Sequence, residues 1–239
     1  MILFKSYYFK EMYTPGWLGV FVNPFYFSRL GLYRAMTEFA PKLRGVLLDV
    51  GCGTKPYKQL FNVSAYIGLE IDSVFSRQRD IADYFYDGKK FPFDDASFDS
   101  VLCNQVLEHV FNPDEFLEQL NRVLKPNGSL LLTVPFVWDE HEQPYDFARY
   151  SSFGLRALLE KHGFRIIEHR KTCADASVLF QLTNAFIFKI IQSFPKICKL
   201  LLTVSVMATI NLCGIFFSRV LPVNADLFLD NIVLAEKIS

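Results

Sequence analysis

The 239-residue chain has no paired cysteine motif. Its five cysteines stand singly at positions 52, 103, 173, 198 and 213. An odd, scattered set supports neither a disulfide framework nor a Cys-x-x-Cys zinc site, and it fits a reducing cytosol. An excess of either charge is also missing. Twenty-five basic residues meet 25 acidic ones, so no nucleic-acid partner is expected. Met1 to Lys10 places charges inside its apolar stretch and lacks small cleavage-type residues, so no signal peptide is expected. There is no internal repeat or low-complexity tract. What the chain has in abundance is apolar surface: 51% of its residues are hydrophobic and 25 are phenylalanine.

The chain is organised around Val46-Leu47-Leu48-Asp49-Val50-Gly51-Cys52-Gly53. Apolar residues around one acid read as a buried strand that breaks into a glycine turn. Glycine is needed where backbone must turn sharply and lie close to a ligand. A strand closing on Gly-x-Gly before a helix marks the cofactor crevice of an open α/β sheet. A dinucleotide fingerprint would want a third small residue three places after Gly53, and position 56 is Pro56. A nicotinamide oxidoreductase is therefore the weaker alternative.

The later signatures come in order. Tyr66-Ile67-Gly68-Leu69-Glu70 is a second apolar run closing on an acid. Asp87-Gly88-Lys89-Lys90-Phe91-Pro92-Phe93 and Ser97-Phe98-Asp99-Ser100-Val101-Leu102 follow. This series resembles the class I S-adenosylmethionine (SAM) dependent methyltransferases, the small-molecule type with an LPF-like stretch, over roughly residues 40 to 172. The resemblance implies an α/β fold: a Rossmann-like, seven-stranded, mostly parallel sheet with helices on both faces and an antiparallel last strand. It also implies SAM as cofactor.

Carried onto matching positions, the resemblance assigns Gly51 and Gly53 to the amino-acid end of SAM. Asp49 would orient the methionine amino group, or merely tie the loop down. Glu70 would accept hydrogen bonds from both ribose hydroxyls. Ile71 would lie against the adenine, and Asp87 would accept from the adenine amino group, or serve only as a turn former before Gly88. Asn104 and Gln105 would line the crevice floor. His109, in Leu107-Glu108-His109, is read as structural.

Methyl transfer is an in-line displacement, so the protein mainly aligns the two centres and removes a proton from a hydroxyl acceptor. The loop Pro135 to Tyr150 leaves the carboxyl end of the fifth strand, where an acceptor would lie. His141 is the candidate catalytic base, with Asp146 or Glu140 orienting it and Arg149 binding an anionic acceptor. A solvated loop carrying chance charges is the alternative. No metal is expected, because the His and carboxylate spacing is not coherent for one.

The pattern also predicts a helix near Pro56 to Phe61, strands at Asp83–Tyr86, Phe98–Asn104, Ser129–Val134, Phe164–His169 and Asp230–Ala235, and a short turn at Val106–Val110. Asn112 should cap a helix with Pro113 at its first position and Glu115 completing a capping box. Gly163 should end the helix marked by Leu155, Leu158 and Leu159. The expected organisation is a lid over residues 1–44, a core over 45–175, an apolar helical insertion over 176–222, and the last strand in 223–239. The aromatics Trp17 to Phe27 fit a lid or a membrane interface.

The insertion is the anomaly. About 60 residues separate two strands expected to pair, far more than a hairpin needs. Between Ala176 and Leu221 the only charged residues are Lys189, Lys196, Lys199 and Arg219. Gln181, Asn184, Lys189 and Gln192 fall on one helix side, with Leu179, Phe186, Ile187, Ile190 and Phe194 mostly opposite. Leu200 to Phe217 carries no charge, close to the roughly 20 residues of a membrane span. The expectation is a helical pair lying in the cytosolic leaflet, or a cap buried on the core or in a homodimer. The expected protein is thus cytoplasmic, peripheral at the inner membrane face. It would O-methylate a small molecule, a saccharide or a lipid-linked saccharide, the alternative being a binding protein with an inactive site.

Overall fold

The computed structural model describes residues 2–79 and 81–238. In chain order the elements are α1 (Ile2–Tyr13), α2 (Gly19–Val22), α3 (Tyr26–Phe39), β1 (Val46–Val50), β2 (Ala65–Ile71), α4 (Val74–Arg79), β3 (Tyr84–Tyr86), β4 (Phe98–Asn104), α5 (Pro113–Val123), β5 (Leu124–Pro135), α6 (Ser152–Lys161), β6 (Phe164–Lys171), α7 (Ser177–Ile190), α8 (Lys196–Leu202), α9 (Ala208–Val220) and β7 (Asp230–Lys237). The strands form one sheet in the order β3-β2-β1-β4-β5-β7-β6. β1 pairs in parallel with β2 and β4, β2 with β3, and β4 with β5. β7 runs antiparallel to β6: Thr172 N donates to Asp230 O and Leu229 N to Thr172 O at 3.0 Å, while Ile238 N reaches Gly163 O at 2.8 Å. This is the Rossmann-like, mostly parallel sheet expected from the motif order.

Successive strand residues point to opposite faces, and here both sets are buried. Leu48, Val50, Val101, Cys103, Leu130, Leu132 and Val134 share one core with α5 and α6 residues Phe116, Leu117, Leu120, Val123, Leu155 and Leu159. The alternate residues Leu47, Leu102, Leu131, Ile232 and Leu234 are buried as well. Both faces are therefore covered, which is why these strands read as continuous apolar runs.

The chain divides into two compact units. One comprises Met36–Phe136, Glu140–Arg170 and Asn231–Ser239; the other comprises Met1–Ala35, Val137–Asp139 and Lys171–Asp230. In the second unit the N-terminal segment packs with the insertion. Gln181 Oε1 accepts from Phe27 N and Ser28 N at 3.0 and 3.2 Å, and Gln181 Nε2 donates to Pro24 O. Asn211 Nδ2 donates to Val20 O at 2.9 Å, and Asn184 Nδ2 to Asn211 Oδ1 at 2.9 Å. A Cβ on Gly214 would come within 2.6 Å of the Phe27 ring, so only glycine permits this approach.

Several local expectations change. After the glycine turn there is no α-helix at Pro56 to Phe61, only a 3-10 turn at Lys58–Leu60. Lys55 takes φ 51° just before it, so too few residues remain to start an α-helix. Asn112 precedes Pro113 as expected, but its side chain makes no capping bond and its ψ is 80°. β5 begins at Leu124, earlier than the Lys-Pro-Asn-Gly run suggests, because Leu124 already aligns with Phe98 across an irregular register. The helix marked by Leu155 closes as expected, with Gly163 at φ 76°.

The insertion departs most from its helical-wheel reading. Gln181 and Asn184 are fully buried, whereas Leu179, Phe186 and Ile190 are more than half exposed. The amides face inward because Gln181 saturates backbone groups of the N-terminal segment and Asn184 bonds Met207 O and Asn211 Oδ1, which no apolar side chain can do. Lys196–Val220 forms one 25-residue helix, including a π turn at Thr203–Met207, long and apolar enough by length and composition to cross a bilayer.

Candidate functional site

The parallel registers bring the sequence motifs to one edge. Val50 aligns with Leu69 and with Cys103, and Ile71 with Tyr86. Gly51, Glu70, Asp87 and Asn104 therefore all leave the sheet at its carboxyl end, the place where open α/β sheets bind ligands.

The glycine turn is held by β2. Gly51 N and Cys52 N both donate to Leu69 O, at 2.9 and 3.2 Å. Gly51 has φ 68°, and a Cβ there would meet Val106 Cγ2 at 2.4 Å. Gly53 has φ 50°, and a Cβ there would meet nothing within 4 Å. The first glycine is demanded by packing, while the second faces open space. Glu70 braces this space: its Oε2 accepts from Gly53 N at 2.8 Å, and its Oε1 from Ile71 N at 3.1 Å.

Asp49 is buried under the turn, and Tyr66 Oη donates to its Oδ2 at 2.6 Å. Burial pushes its carboxyl up to about 7, against the pull of the Tyr66 bond and the Lys55 charge. Beside it, Lys55 Nζ pairs with Asp83 Oδ2 at 2.7 Å, and Gly68 N donates to the same oxygen. A Cβ on Gly68 would meet Lys55 Cε at 2.3 Å, so the Gly-Leu-Glu pattern of β2 also makes room for the lysine. Tyr66, Lys55 and Asp83 were missed from the sequence; Gly68 inside a strand was the available signal.

Ile71 is half exposed, and the Asp87-Gly88 turn lies against it, since a Cβ on Gly88 would contact Ile71 Cδ1 at 3.6 Å. Asp87 Oδ1 accepts from Lys89 N at 2.9 Å and Lys90 N at 3.2 Å, so it does form the turn. These backbone bonds hold its carboxyl below the usual range. Asn104 Oδ1 accepts from Thr133 Oγ1 at 2.8 Å, and Gln105, at φ 56°, donates its N–H to Thr133 O. The two residues after β4 are thus fixed by β5.

On the acceptor loop Asp146 lies against His141: its Oδ2 accepts from His141 N at 2.9 Å and is 3.3 Å from His141 Nδ1. Glu140 Oε2 accepts from Gln143 Nε2 at 3.2 Å. Arg149 grips Asp146 through both forks, at 2.6 and 2.7 Å. That pairing, despite burial, lowers the Asp146 carboxyl to about 2. The Arg149 guanidinium is therefore engaged inside the loop. Phe147 N and Ala148 N donate to Glu108 O, and His109 Nδ1 lies 2.6 Å from Tyr145 O. The His109 and His141 rings meet edge to face, 4.8 Å between centroids.

A methyltransferase-domain family model matches residues 48–132, spanning the glycine turn through β5. This domain match, together with the fold, supports a SAM-dependent methyltransferase of class I. It is 27% identical over 162 residues to the O-methyltransferase rstn1 of Aspergillus nomiae, covering 57% of this chain and 72% of that one. An uncharacterised protein of Methanocaldococcus jannaschii is 29% identical over 152 residues, again covering 72% of the relative and 58% of this chain. The fold is similar to that of a SAM-dependent methyltransferase from Mesorhizobium loti, with TM-score 0.55 and 14% identity over 88% of this chain and all of that one. The protein is thus a methyltransferase enzyme with SAM as its cofactor.

Proposed function

We propose that the enzyme O-methylates a small-molecule acceptor of saccharide or lipid-linked type, working at the cytosolic face of a membrane. The observation that carries the O-methyl reading is the His141–Asp146–Arg149 arrangement beside the carboxyl end of β4. Asp146, held ionised by Arg149, fixes one side of the His141 ring, as a carboxylate does in other histidine bases. His141 removes the hydroxyl proton while the acceptor oxygen attacks the methyl carbon. The carbon–sulfur bond breaks, its electron pair goes to sulfur, and the sulfonium becomes a neutral thioether. In the cofactor half, Gly53 and Asp49 hold the methionine end, Glu70 the ribose, Ile71 and Asp87 the adenine, and Asn104 the floor.

The membrane half of the reading rests on the inverted insertion. In the most apolar part of Lys196–Val220 only 22% of residues are buried, unlike the core helix of a soluble protein. Trp17, Phe186, Ile197, Leu200, Leu201 and Phe216 are all more than half exposed on the same unit. Amides inside and aliphatics outside is the polarity expected of helices solvated by lipid. Thr172 and Asp230, which flank the insertion, bond each other, so the chain leaves and returns at one place. An in-plane helical pair with basic side chains toward anionic headgroups satisfies both facts. Confinement with a lipid-linked acceptor raises effective concentration.

The test is a labelled-methyl assay on aqueous and lipid fractions of cell extract. Label in a lipid-phase product that alkali does not release as methanol supports the reading. Label confined to aqueous products or to carboxyl esters counts against it.

A further inference from the structure

We propose that Glu108, His109 and His141 form a binding site for a first-row divalent cation, zinc foremost. One ligand atom from each lies within 4.8 Å of the other two. Sequence spacing did not suggest this, because His141 lies far along the chain from the Leu107-Glu108-His109 turn. The loop's backbone bonds to Glu108 O bring it back.

Three features distinguish this group from a chance cluster. The first is its chemistry. Two imidazoles and one carboxylate are a recurrent set for zinc and for other first-row metals that keep open positions. The second is the orientation of each ring. His109 Nδ1 is 2.6 Å from Tyr145 O, which turns its Nε2 toward Glu108 Oε1, 3.8 Å away. His141 Nδ1 is 3.3 Å from Asp146 Oδ2, leaving Nε2 as its ligand atom. Metal-ligating histidines are typically held in this way, one by a carbonyl and the other by a carboxylate. The third is burial. The Glu108 side chain is completely buried and its carboxylate lies beside the His109 ring, so this corner of the cluster is shut off from bulk water.

Bonds of about 2.0–2.2 Å to one ion hold two ligands no more than about 4.4 Å apart. The widest pair must therefore close by a few tenths of an ångström. His141, on a loop and partly exposed, is the side chain able to move. The site's role rests on the O-methyl reading: a bound cation has further positions for the acceptor's hydroxyl oxygen and lowers its pKa. With the cation bound, His141 Nε2 is a ligand and the proton goes to water; in the metal-free enzyme His141 is the base.

The experiment uses the full chain stripped with a chelator, then titrated with Co2+ and with Zn2+. We expect one tightly held equivalent, a visible Co2+ absorption characteristic of nitrogen and oxygen ligation, and displacement of Co2+ by Zn2+. Glu108→Gln, close in shape, and His109→Gln should each weaken binding at least 10-fold. His162→Ala, in a separate pair with Asp114, should leave it unchanged. SAM titration of each variant reports whether it is folded. No retained equivalent in the folded protein, or equal retention by the double variant Glu108→Gln/His109→Gln, overturns the site. Metal bound with these dependences but no O-methyl product from any fraction leaves the site standing and counts against the acceptor reading alone.

Discussion

Glu70 Oε2 accepts a hydrogen bond from Gly53 N at 2.8 Å, which ties the end of β2 to the glycine turn of β1. One carboxylate therefore shapes the turn and faces the site assigned to the ribose. Glu70→Ala should weaken SAM binding by roughly 1–3 kcal/mol for the lost ligand bonds, and further for the loosened turn. Glu70→Gln keeps an acceptor for Gly53 N and should lose less. Calorimetry with SAM checks both, and equal affinities for the two variants would mean the brace contributes nothing.

Gly51→Val should abolish SAM binding, since even a Cβ meets Val106 at 2.4 Å and the residue sits at φ 68°. Trimming the neighbour in Gly51→Ala/Val106→Ala relieves the clash but not the backbone strain, so recovery should be partial. Full recovery would show that packing alone requires the glycine.

Asp49 makes SAM affinity depend on pH. Its carboxyl is raised from 3.8 to about 7 in the folded chain, so the unfolded chain releases this proton first. The free enzyme consequently loses stability as pH rises from the unfolded value through about 7. A cationic amino group beside Asp49 would favour the ionised form and release the proton. SAM affinity should therefore rise with pH up to about 7 and then level off. Calorimetry in buffers of different ionisation enthalpy measures the proton released. Asp49→Asn should remove it.

His141→Ala should leave SAM affinity near that of the parent and lower turnover by about 10²-fold or more. Asp146→Asn should lose less turnover but also destabilise the loop, because Arg149 would lose its charged partner. A smaller effect is expected from Arg149→Lys, which keeps charge without the fork. Comparing turnover with thermal unfolding for the three variants separates chemistry from loop order. Unchanged turnover in His141→Ala would remove the residue from the reaction.

The insertion should bring the protein down with anionic vesicles, with an attachment that salt weakens without abolishing. Changing Lys196 and Lys199 to Glu should weaken it, each basic side chain near the surface contributing about 1 kcal/mol. Asn211→Ala should instead destabilise the unit by about 1–3 kcal/mol, because Val20 O and Asn23 O lose their donor. A full-length protein that stays vesicle-free and monomeric without detergent would end the membrane reading.

The placement of the candidate cofactor residues was legible in the sequence because each stands at the end of its own strand. A strand's apolar run, its closing acid and its glycine are all local, and parallel pairing then sets Gly51, Glu70, Asp87 and Asn104 side by side. The helix after Gly53 was misread because Lys55 adopts a left-handed backbone that local propensity does not announce. Tertiary structure alone decided two further matters. It settled which charges pair, giving Arg149 to Asp146, because loop closure rather than spacing chooses partners. It also settled which face of the insertion is inside. A helical wheel shows Gln181 and Asn184 on one side of α7, but only the backbone groups brought from residues distant in sequence make that side the buried one. The sequence by itself determined the strands and their functional ends. Contacts between distant segments determined where Glu108 and His141 meet, and which surface the insertion leaves apolar.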